Sequence, residues 1–211
     1  MYLEKRYEET RVAVMHDLIR AHPLATLVTQ VTDGLDANHI PMIIDESPAP
    51  FGTLRGHIAR ANPLLNDMAA NTEALAIFHG PQTYISPSWY VTKKETGRVA
   101  PTWNYAVVHA YGPLRLVEDA AWIRMQLEAL TAHNESAFPE PWAVSDAPED
   151  FVEKLIGAIV GFEMPVTRMT GKWKVSQNQP PRNRASVIEN LNASGRPDAS
   201  VMGALIEKAA K

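Results

Sequence analysis

The amino-acid sequence predicts an α+β fold in which an antiparallel β-barrel carries helical additions. About six apolar segments with strand-like alternation are joined mostly by short turns, and helical patterns stand at the two ends and in one insertion. The chain shows no regular alternation of strands and helices. It also has no Gly-x-Gly-x-x-Gly or Walker sequence, so a doubly wound nucleotide-binding fold is not expected.

The first half of the chain supplies most of the predicted strands. An amphipathic helix is expected over 8–21, because apolar residues recur on one face. The elements expected after it are strands over 24–32 and 37–45 separated by an Asp33-Gly34 turn, a strand from Gly52, a short helix from Pro63, and strands over 74–79 and 82–85.

The second half combines one long strand with the helical additions. The expected elements are a polar loop at 86–101, a strand over 103–117, helices over 120–133 and 147–155, a strand pair over 159–175, and helices over 183–191 and 199–210. We therefore expect one domain over 1–191, with a helical insertion near 118–157, and a C-terminal helical tail over 192–211.

Composition excludes several classes of function. The chain has 211 residues, a formal net charge of -4 and no cysteine, so thiol catalysis, disulfides and cysteine-ligated metals are excluded. An acidic balance disfavours a protein that coats DNA through phosphate contacts. No apolar stretch reaches the length of a signal-peptide core or a membrane span, so a cytoplasmic protein is expected.

The most informative segment is GTLRGHIARANP, from Gly52 to Pro63. Its alternation predicts a strand that leads into a helix, with Asn62 as the N-cap and Pro63 as the first helical residue. Unpaired N–H groups at a helix start attract anions, and His57 and Arg60 lie close in sequence. The segment therefore indicates a phosphate site, although an ordinary surface strand with a capped helix would share the pattern.

Two further clusters suit a flat, anionic ligand. At the start of the long strand, Thr102 and Asn104 share one face and could read the polar edge of a heterocycle. On the last strand, Lys172 and Lys174 share a face opposite Trp173. Each cluster alone is compatible with a purely structural role, but together they favour a ligand site.

Metal and hydrolase chemistry find little support in the sequence. The seven histidines show no His-x-His or His-x-x-x-His spacing, so no metal site is expected. Ser86 and Ser88 do not lie in a Gly-x-Ser-x-Gly motif, which argues against a nucleophilic serine. Haem binding through a single strand histidine stays open as an alternative.

Four long motifs carry a resemblance to a known family. They are GTLRGHIARANPL, YISPSWY, PTWNYAVVHAYGPLR and TGKWKVSQNQP, with Ala100 standing where the third motif is otherwise preceded by valine. In these motifs the chain resembles the FMN-binding negative transcriptional regulators, the PaiB-like proteins, over Met1 to about Leu191. The resemblance implies a split β-barrel, shared with pyridoxamine-phosphate oxidases and flavin reductases, and a homodimer that holds FMN between its subunits.

The resemblance also implies where FMN binds. The phosphate is expected at the strand-to-helix junction, with His57, Ile58, Ala59, Arg60 and Asn62. The isoalloxazine edge is expected to meet backbone groups of the strand that contains Asn38, His39, Ile40, Pro41 and Met42. Further contacts are expected from Thr102, Asn104 and Tyr105 on the long strand and from Lys172 and Lys174 on the last strand, within one subunit or across the dimer.

The sequence leaves more than one function open. The residues support flavin binding better than DNA binding, because no helix-turn-helix pattern is present and basic residues cluster only from Arg168 to Arg184. Regulation is therefore expected to be indirect or to need a protein partner. The alternatives are a flavin-dependent oxidoreductase acting on a small substrate, a haem-binding or haem-degrading split barrel, and a structural dimer with an empty cavity.

Overall fold

The computed structural model describes residues 1–67 and 73–209, which group into two compact units. The unit that contains both chain ends, here the terminal unit, comprises Met1–Arg11, His79–Val108 and Thr170–Lys211. The other, the central unit, comprises Val12–Phe78 and His109–Met169.

The described residues form strands and helices in an irregular order. The strands are β1 (Glu8–Glu9), β2 (Leu24–Val31), β3 (Gly34–Pro41), β4 (Ile43–Asp45), β5 (Thr53–Ala59), β6 (Glu73–Ile85), β7 (Thr102–Pro113), β8 (Arg115–Val117), β9 (Ile159–Pro165) and β10 (Arg168–Lys174). The helices are α1 (Val12–Ala21), α2 (Leu64–Asp67), α3 (Lys93–Thr96), α4 (Ala120–Glu135), α5 (Glu149–Gly157), α6 (Pro181–Ala193) and α7 (Pro197–Lys208).

An antiparallel hairpin of β2 and β3 forms one edge of the central unit. Its register runs from Leu24 opposite Pro41 to Val31 opposite Gly34, and the φ of 128° at Gly34 closes the predicted turn without a Cβ penalty. On its other side β2 pairs with β6, so β3 is the last strand of its sheet. The backbone groups of β3 that face away from β2 are therefore left without a strand partner in that sheet.

A second antiparallel sheet, in the order β4-β5-β9-β8, holds the core of the central unit. Phe162 on β9 is fully buried opposite Gly56 on β5. A Cβ at Gly56 would lie 2.6 Å from Cζ of Phe162, so only glycine leaves room for the ring. α4, α5 and the 3₁₀ turn Val144–Asp146 between them add an apolar cluster to the same unit through Ile123, Val144, Val152 and Ile156.

The terminal unit has the strand order β1-β10-β7-β6 and a helical layer. α6 and α7 bury apolar side chains in one cluster with Ile85 and Tyr90, and this cluster includes Val187, Leu191, Met202 and Ile206. The segment predicted as a tail thus contributes core residues within this unit.

The structure departs from the predicted elements at several places. The strand expected over 37–45 is divided at Met42 into β3 and β4, which belong to different sheets. The first helix starts only at Val12, because Glu8 and Glu9 pair with β10. β6 runs without a break from Glu73 to Ile85, since the φ that Pro81 imposes is compatible with an extended chain. The long strand expected over 103–117 is divided at Leu114. Parts of the predicted helix after Pro63 and of the last helix lie outside the described residues.

The helices that the structure describes, over 1–67 and 73–209, are all too short or too polar to cross a bilayer.

Candidate functional site

The strand-to-helix junction lines an open cavity of about 600 Å³ in the central unit. The cavity lies where the end of the β2–β3 hairpin faces the connection from β5 to α2. Its walls are formed by Val31, Asp33, Leu35, Asp36, Asn38, Ala59, Ala61, Asn62, Pro63 and Leu64. We call it the junction cavity. Most of its wall is apolar, with two amides and two carboxylates as the polar groups.

Two asparagines tie the walls of the junction cavity together. Asn62 donates from Nδ2 to Oδ1 of Asn38 at 2.9 Å, and Asn38 donates from its own Nδ2 to Asp36 at 2.7 Å. The Oδ1 atom of Asn62 accepts the N–H of Leu64 at 2.9 Å, which is the capping contact that the sequence predicts. The junction is therefore held in a fixed geometry by side chains.

Arg60 lies at the same junction but its guanidinium contacts protein groups. It donates to the carbonyl oxygens of Gly157 and Ile159, each at 3.2 Å, and to Oε2 of Glu118 at 3.0 Å. These carbonyls lie at the C-terminal end of α5 and just beyond it, where the helix dipole favours a cation. Ala59 and Ala61 line the cavity, whereas Arg60 is not among its lining residues. A ligand phosphate at Arg60 would therefore compete with the carboxylate of Glu118.

His57 is held by a buried amide on α4. Its Nδ1 atom lies 2.8 Å from Oε1 of Gln126, and because an amide oxygen only accepts, His57 donates from Nδ1. The Nε2 atom of Gln126 is buried with no hydrogen-bond partner among the described residues. Gln126 lines a smaller cavity of about 170 Å³ with Arg55, Met125 and Trp122.

Several residues predicted to contact FMN on β3, directly after β3 and on β5 have buried side chains. The side chains of Ile40, Met42 and Ile58 are buried in the core, so only backbone atoms of these residues could meet a ligand. His39 and Pro41 are exposed on the edge strand β3. An edge strand suits hydrogen bonding to a planar ligand or to a second chain.

The other predicted residues belong to the terminal unit, and three of them line a cavity of about 590 Å³ there, the terminal cavity. Lys174 donates from Nζ to Oγ1 of Thr102 at 2.5 Å, and Asn104 donates from Nδ2 to Oγ of Ser176 at 2.9 Å. All three predicted residues, Thr102, Asn104 and Lys174, lie in its wall.

Lys172 does not line the terminal cavity and is instead enclosed by aromatic rings. Its ammonium donates to the carbonyl oxygen of Tyr2 at 2.9 Å and lies 5.5 Å from the centre of the Tyr2 ring. It lies 5.6 Å from the Tyr105 ring. Lys172 and Tyr105 thus hold the N-terminal segment in place by hydrogen bonding and cation–π contact. The sequence could not indicate this, because Tyr2 and Lys172 are far apart in the chain.

Several residues of these cavities were not predicted. Gln126 gives no local signal, since an amide on a helix is usually a surface residue. Asn38 belongs to the strand expected to meet the isoalloxazine edge, but its side-chain hydrogen bond with Asn62 was not predicted. Tyr90, Arg98 and Asn183 lie in polar segments whose shape depends on distant contacts, such as the 3.0 Å bond from Nδ2 of Asn183 to Oγ1 of Thr92. In the part of the chain that the structure describes, no group of three or more His, Asp or Glu side chains could hold a metal ion.

Comparison with known families decides the identity of the chain. The family model described as "Putative FMN-binding domain" matches residues 1–168. The chain belongs to this FMN-binding family. The match includes every residue that lines the junction cavity. It ends before Lys174, so part of the wall of the terminal cavity lies beyond it.

Two relatives extend the similarity over nearly the whole chain. An uncharacterised protein of Aspergillus fumigatus is 34% identical over 240 residues, which cover 92% of each chain. The protease synthase and sporulation protein PAI 2 of Bacillus subtilis is 29% identical over 210 residues, covering 98% of this chain and 97% of the relative. The predicted resemblance to the PaiB-like members of the FMN-binding family is thus confirmed.

Solved structures confirm the fold class. The FAD and heme binding protein from Mycobacterium smegmatis superposes with a TM-score of 0.60 at 16% identity, covering 90% of this chain and 80% of that protein. At this identity the likeness establishes the fold alone. The α+β class with an antiparallel split β-barrel and helical additions, which the sequence predicts, is confirmed.

Proposed function

We propose that this protein binds FMN in the junction cavity and acts as a homodimer in transcriptional regulation, as the PaiB-like resemblance implies. The observation that carries the proposal is the junction cavity itself, whose lining falls entirely within the residues matched by the FMN-binding family. Its volume of about 600 Å³ lies within the common range for cofactor sites, roughly 300–1,000 Å³.

The chemistry of the cavity suits the ring system of a flavin. Leu35, Ala59, Ala61 and Pro63 offer apolar surface, and the linked amides of Asn38 and Asn62 offer a few oriented polar groups. The exposed edge of β3 provides backbone donors and acceptors beside them. When bound, the flavin would supply redox capacity, while these residues would position it.

The phosphate of FMN requires a cation, and Arg60 is the candidate nearest in sequence to the cavity wall. In the proposed complex its guanidinium exchanges the exposed contact with Glu118 for the phosphate while keeping the carbonyl contacts near α5. A surface ion pair contributes only about 0–1 kcal/mol, so this exchange is energetically accessible.

Replacing Arg60 by Ala is expected to weaken FMN binding by about 10- to 150-fold, because a charge-assisted phosphate contact is lost. Riboflavin, which has no phosphate, should bind both proteins equally. The Glu118→Gln variant should bind FMN as well as, or up to about 5-fold better than, the unchanged protein, since the competing carboxylate is gone. Fluorescence titration of each protein with FMN and with riboflavin measures these affinities. Unchanged FMN affinity in Arg60→Ala would show that the phosphate does not bind at Arg60.

The edge of the central unit supports a homodimer. Leu24 on β2 is 58% exposed and Leu35 on β3 is 76% exposed, although both are large apolar residues. A second copy seated on this edge would cover them and could complete the FMN site. Light scattering coupled to size-exclusion chromatography should report twice the chain mass of 23.4 kDa, and a monomer at micromolar concentration would contradict the dimer.

Direct DNA binding has less support than regulation through a partner. In the basic stretch, the guanidinium of Arg168 lies 3.4 Å from the centre of the Tyr111 ring, Lys172 is buried, and Arg182 is paired with Glu95. These cations are engaged by the protein and form no free basic face.

Oxidation of NAD(P)H on addition of the FMN-loaded protein would favour the oxidoreductase alternative, and a Soret absorbance band would favour haem.

A further inference from the structure

The terminal cavity has the features of a binding site in its own right. Its wall consists of Tyr90, Thr92, Thr96, Arg98, Val99, Ala100, Pro101, Thr102, Asn104, Lys174, Asn178, Gln179, Pro180 and Asn183. All of these belong to the terminal unit, whereas the junction cavity is lined by the central unit alone. The two cavities therefore share no lining residue.

Two buried polar groups in the wall have no partner. Asn104 is fully buried, and while its Nδ2 donates to Ser176, its Oδ1 accepts no hydrogen bond from any described residue. The hydroxyl of Tyr90, which is 3% exposed, is likewise without a partner in the described chain. An unpaired buried polar group is costly, so a ligand that forms hydrogen bonds with these two groups would gain affinity from them.

The rest of the wall is positive in character. Arg98 and Lys174 both line the cavity, and the lining residues include no Asp or Glu. Arg98 is exposed and makes no ion pair within the described residues, so it is available to a ligand. The first turn of α6, a helix of 13 residues without acidic residues at its start, also faces the cavity through Asn183.

The two orphaned groups specify the ligand more closely. An amide oxygen only accepts, so Asn104 needs an N–H or O–H donor from the ligand. Burial, and to a smaller extent Tyr7, raises the pKa of Tyr90, which keeps its hydroxyl protonated near neutral pH and able to donate. A ligand with a donor flanked by an acceptor would satisfy both.

We propose that the terminal cavity binds a second small molecule, distinct from FMN, that combines a phosphate or carboxylate with a planar group carrying an N–H donor. The anion contacts Arg98 and Lys174, and the planar group donates to Oδ1 of Asn104 and accepts from the hydroxyl of Tyr90. The cavity of about 590 Å³ has room for a molecule of nucleotide size. Five of its lining residues, Lys174, Asn178, Gln179, Pro180 and Asn183, lie beyond the segment matched by the FMN-binding family.

Calorimetric titration of the full chain, saturated with FMN, tests the ligand class. The probes are uridine monophosphate, which has an imide N–H and a phosphate, orotate, which has an imide N–H and a carboxylate, and uridine, which has no anion. At least one of the two anions should bind about 10-fold or more tightly than uridine, and which one does so identifies the anionic group. Equal binding of uridine, or no binding of either anion, would overturn the proposal.

Variants locate the site. Arg98→Ala should weaken binding of the preferred anion by about 10-fold. The matched control Lys94→Ala, which changes an exposed lysine on the preceding helix α3 that does not line the cavity, should not. Tyr90→Phe should weaken binding about 3- to 10-fold without lowering the melting temperature, because the hydroxyl has no partner to lose.

The same variants separate this proposal from the FMN site. The affinity for FMN should be unchanged in Arg98→Ala and Tyr90→Phe. If these variants lose FMN affinity instead, the terminal cavity holds FMN and the proposal of a second ligand is overturned. If FMN does not bind the unchanged protein, the proposed function is overturned. The titration with uridine monophosphate and orotate can then be made on the protein without FMN, and it still tests the second ligand.

Discussion

Replacing Phe162 by Ala is expected to lower the free energy of unfolding by about 3 to 5 kcal/mol. The ring is fully buried on β9 and fills the space that Gly56 leaves on β5. Its removal loses apolar burial and opens a cavity between two hydrogen-bonded strands, where the backbone has little freedom to collapse. Urea denaturation followed by tryptophan fluorescence measures the change.

A matched control is available in the same unit. Phe151 on α5 is 51% exposed, so Phe151→Ala should cost less than about 1 kcal/mol. The Gly56→Ala variant should also be destabilised, because its Cβ meets the Phe162 ring, but much less so when Phe162→Ala is already present. Equal effects of the two phenylalanine substitutions would contradict the assigned core.

Replacing Ala61 by Trp is expected to reduce FMN affinity by about 100-fold, equivalent to roughly 2.7 kcal/mol. Ala61 is exposed and lines the junction cavity, so an indole would occupy the proposed flavin site without disturbing the core. Fluorescence titration with FMN measures the affinity, and circular dichroism verifies that the variant is folded.

The control for this substitution is Ala137→Trp. Ala137 is also exposed, lies in the central unit and lines none of the cavities described above. It should leave FMN affinity unchanged. If Ala61→Trp also retains full affinity, FMN does not bind in the junction cavity, whatever its affinity for the protein as a whole.

Local features of the fold could be predicted because their causes are local. The capping contact of Asn62 with Leu64 spans two residues. The Asp33-Gly34 pair predicts the turn because glycine readily adopts the positive φ observed at Gly34. The alternation on the long strand predicts that Asn104 and Trp103 point to opposite faces, and in the structure Asn104 is buried whereas Trp103 is exposed. Such patterns depend on side-chain direction along one element, which the sequence specifies directly.

The candidate site could be predicted only in part because its contacts are distant in the chain. The direction of Arg60 is set by Gly157 and Glu118, and that of His57 by Gln126. Alternation grouped Lys172 with Lys174, but the N-terminal Tyr2 covers Lys172 and leaves Lys174 to the terminal cavity. The sequence predicts a set of ligand-binding residues, and tertiary packing places members of that set in two separate cavities.

Titration of the dialysed protein with FMN, with riboflavin as the control, determines whether the protein binds FMN and recognises its phosphate. Quenching of flavin fluorescence reports binding of both ligands. We expect saturable FMN binding that is at least about 10-fold tighter than riboflavin binding, because only FMN presents a phosphate to the protein. No saturable binding of either flavin would contradict the proposed function.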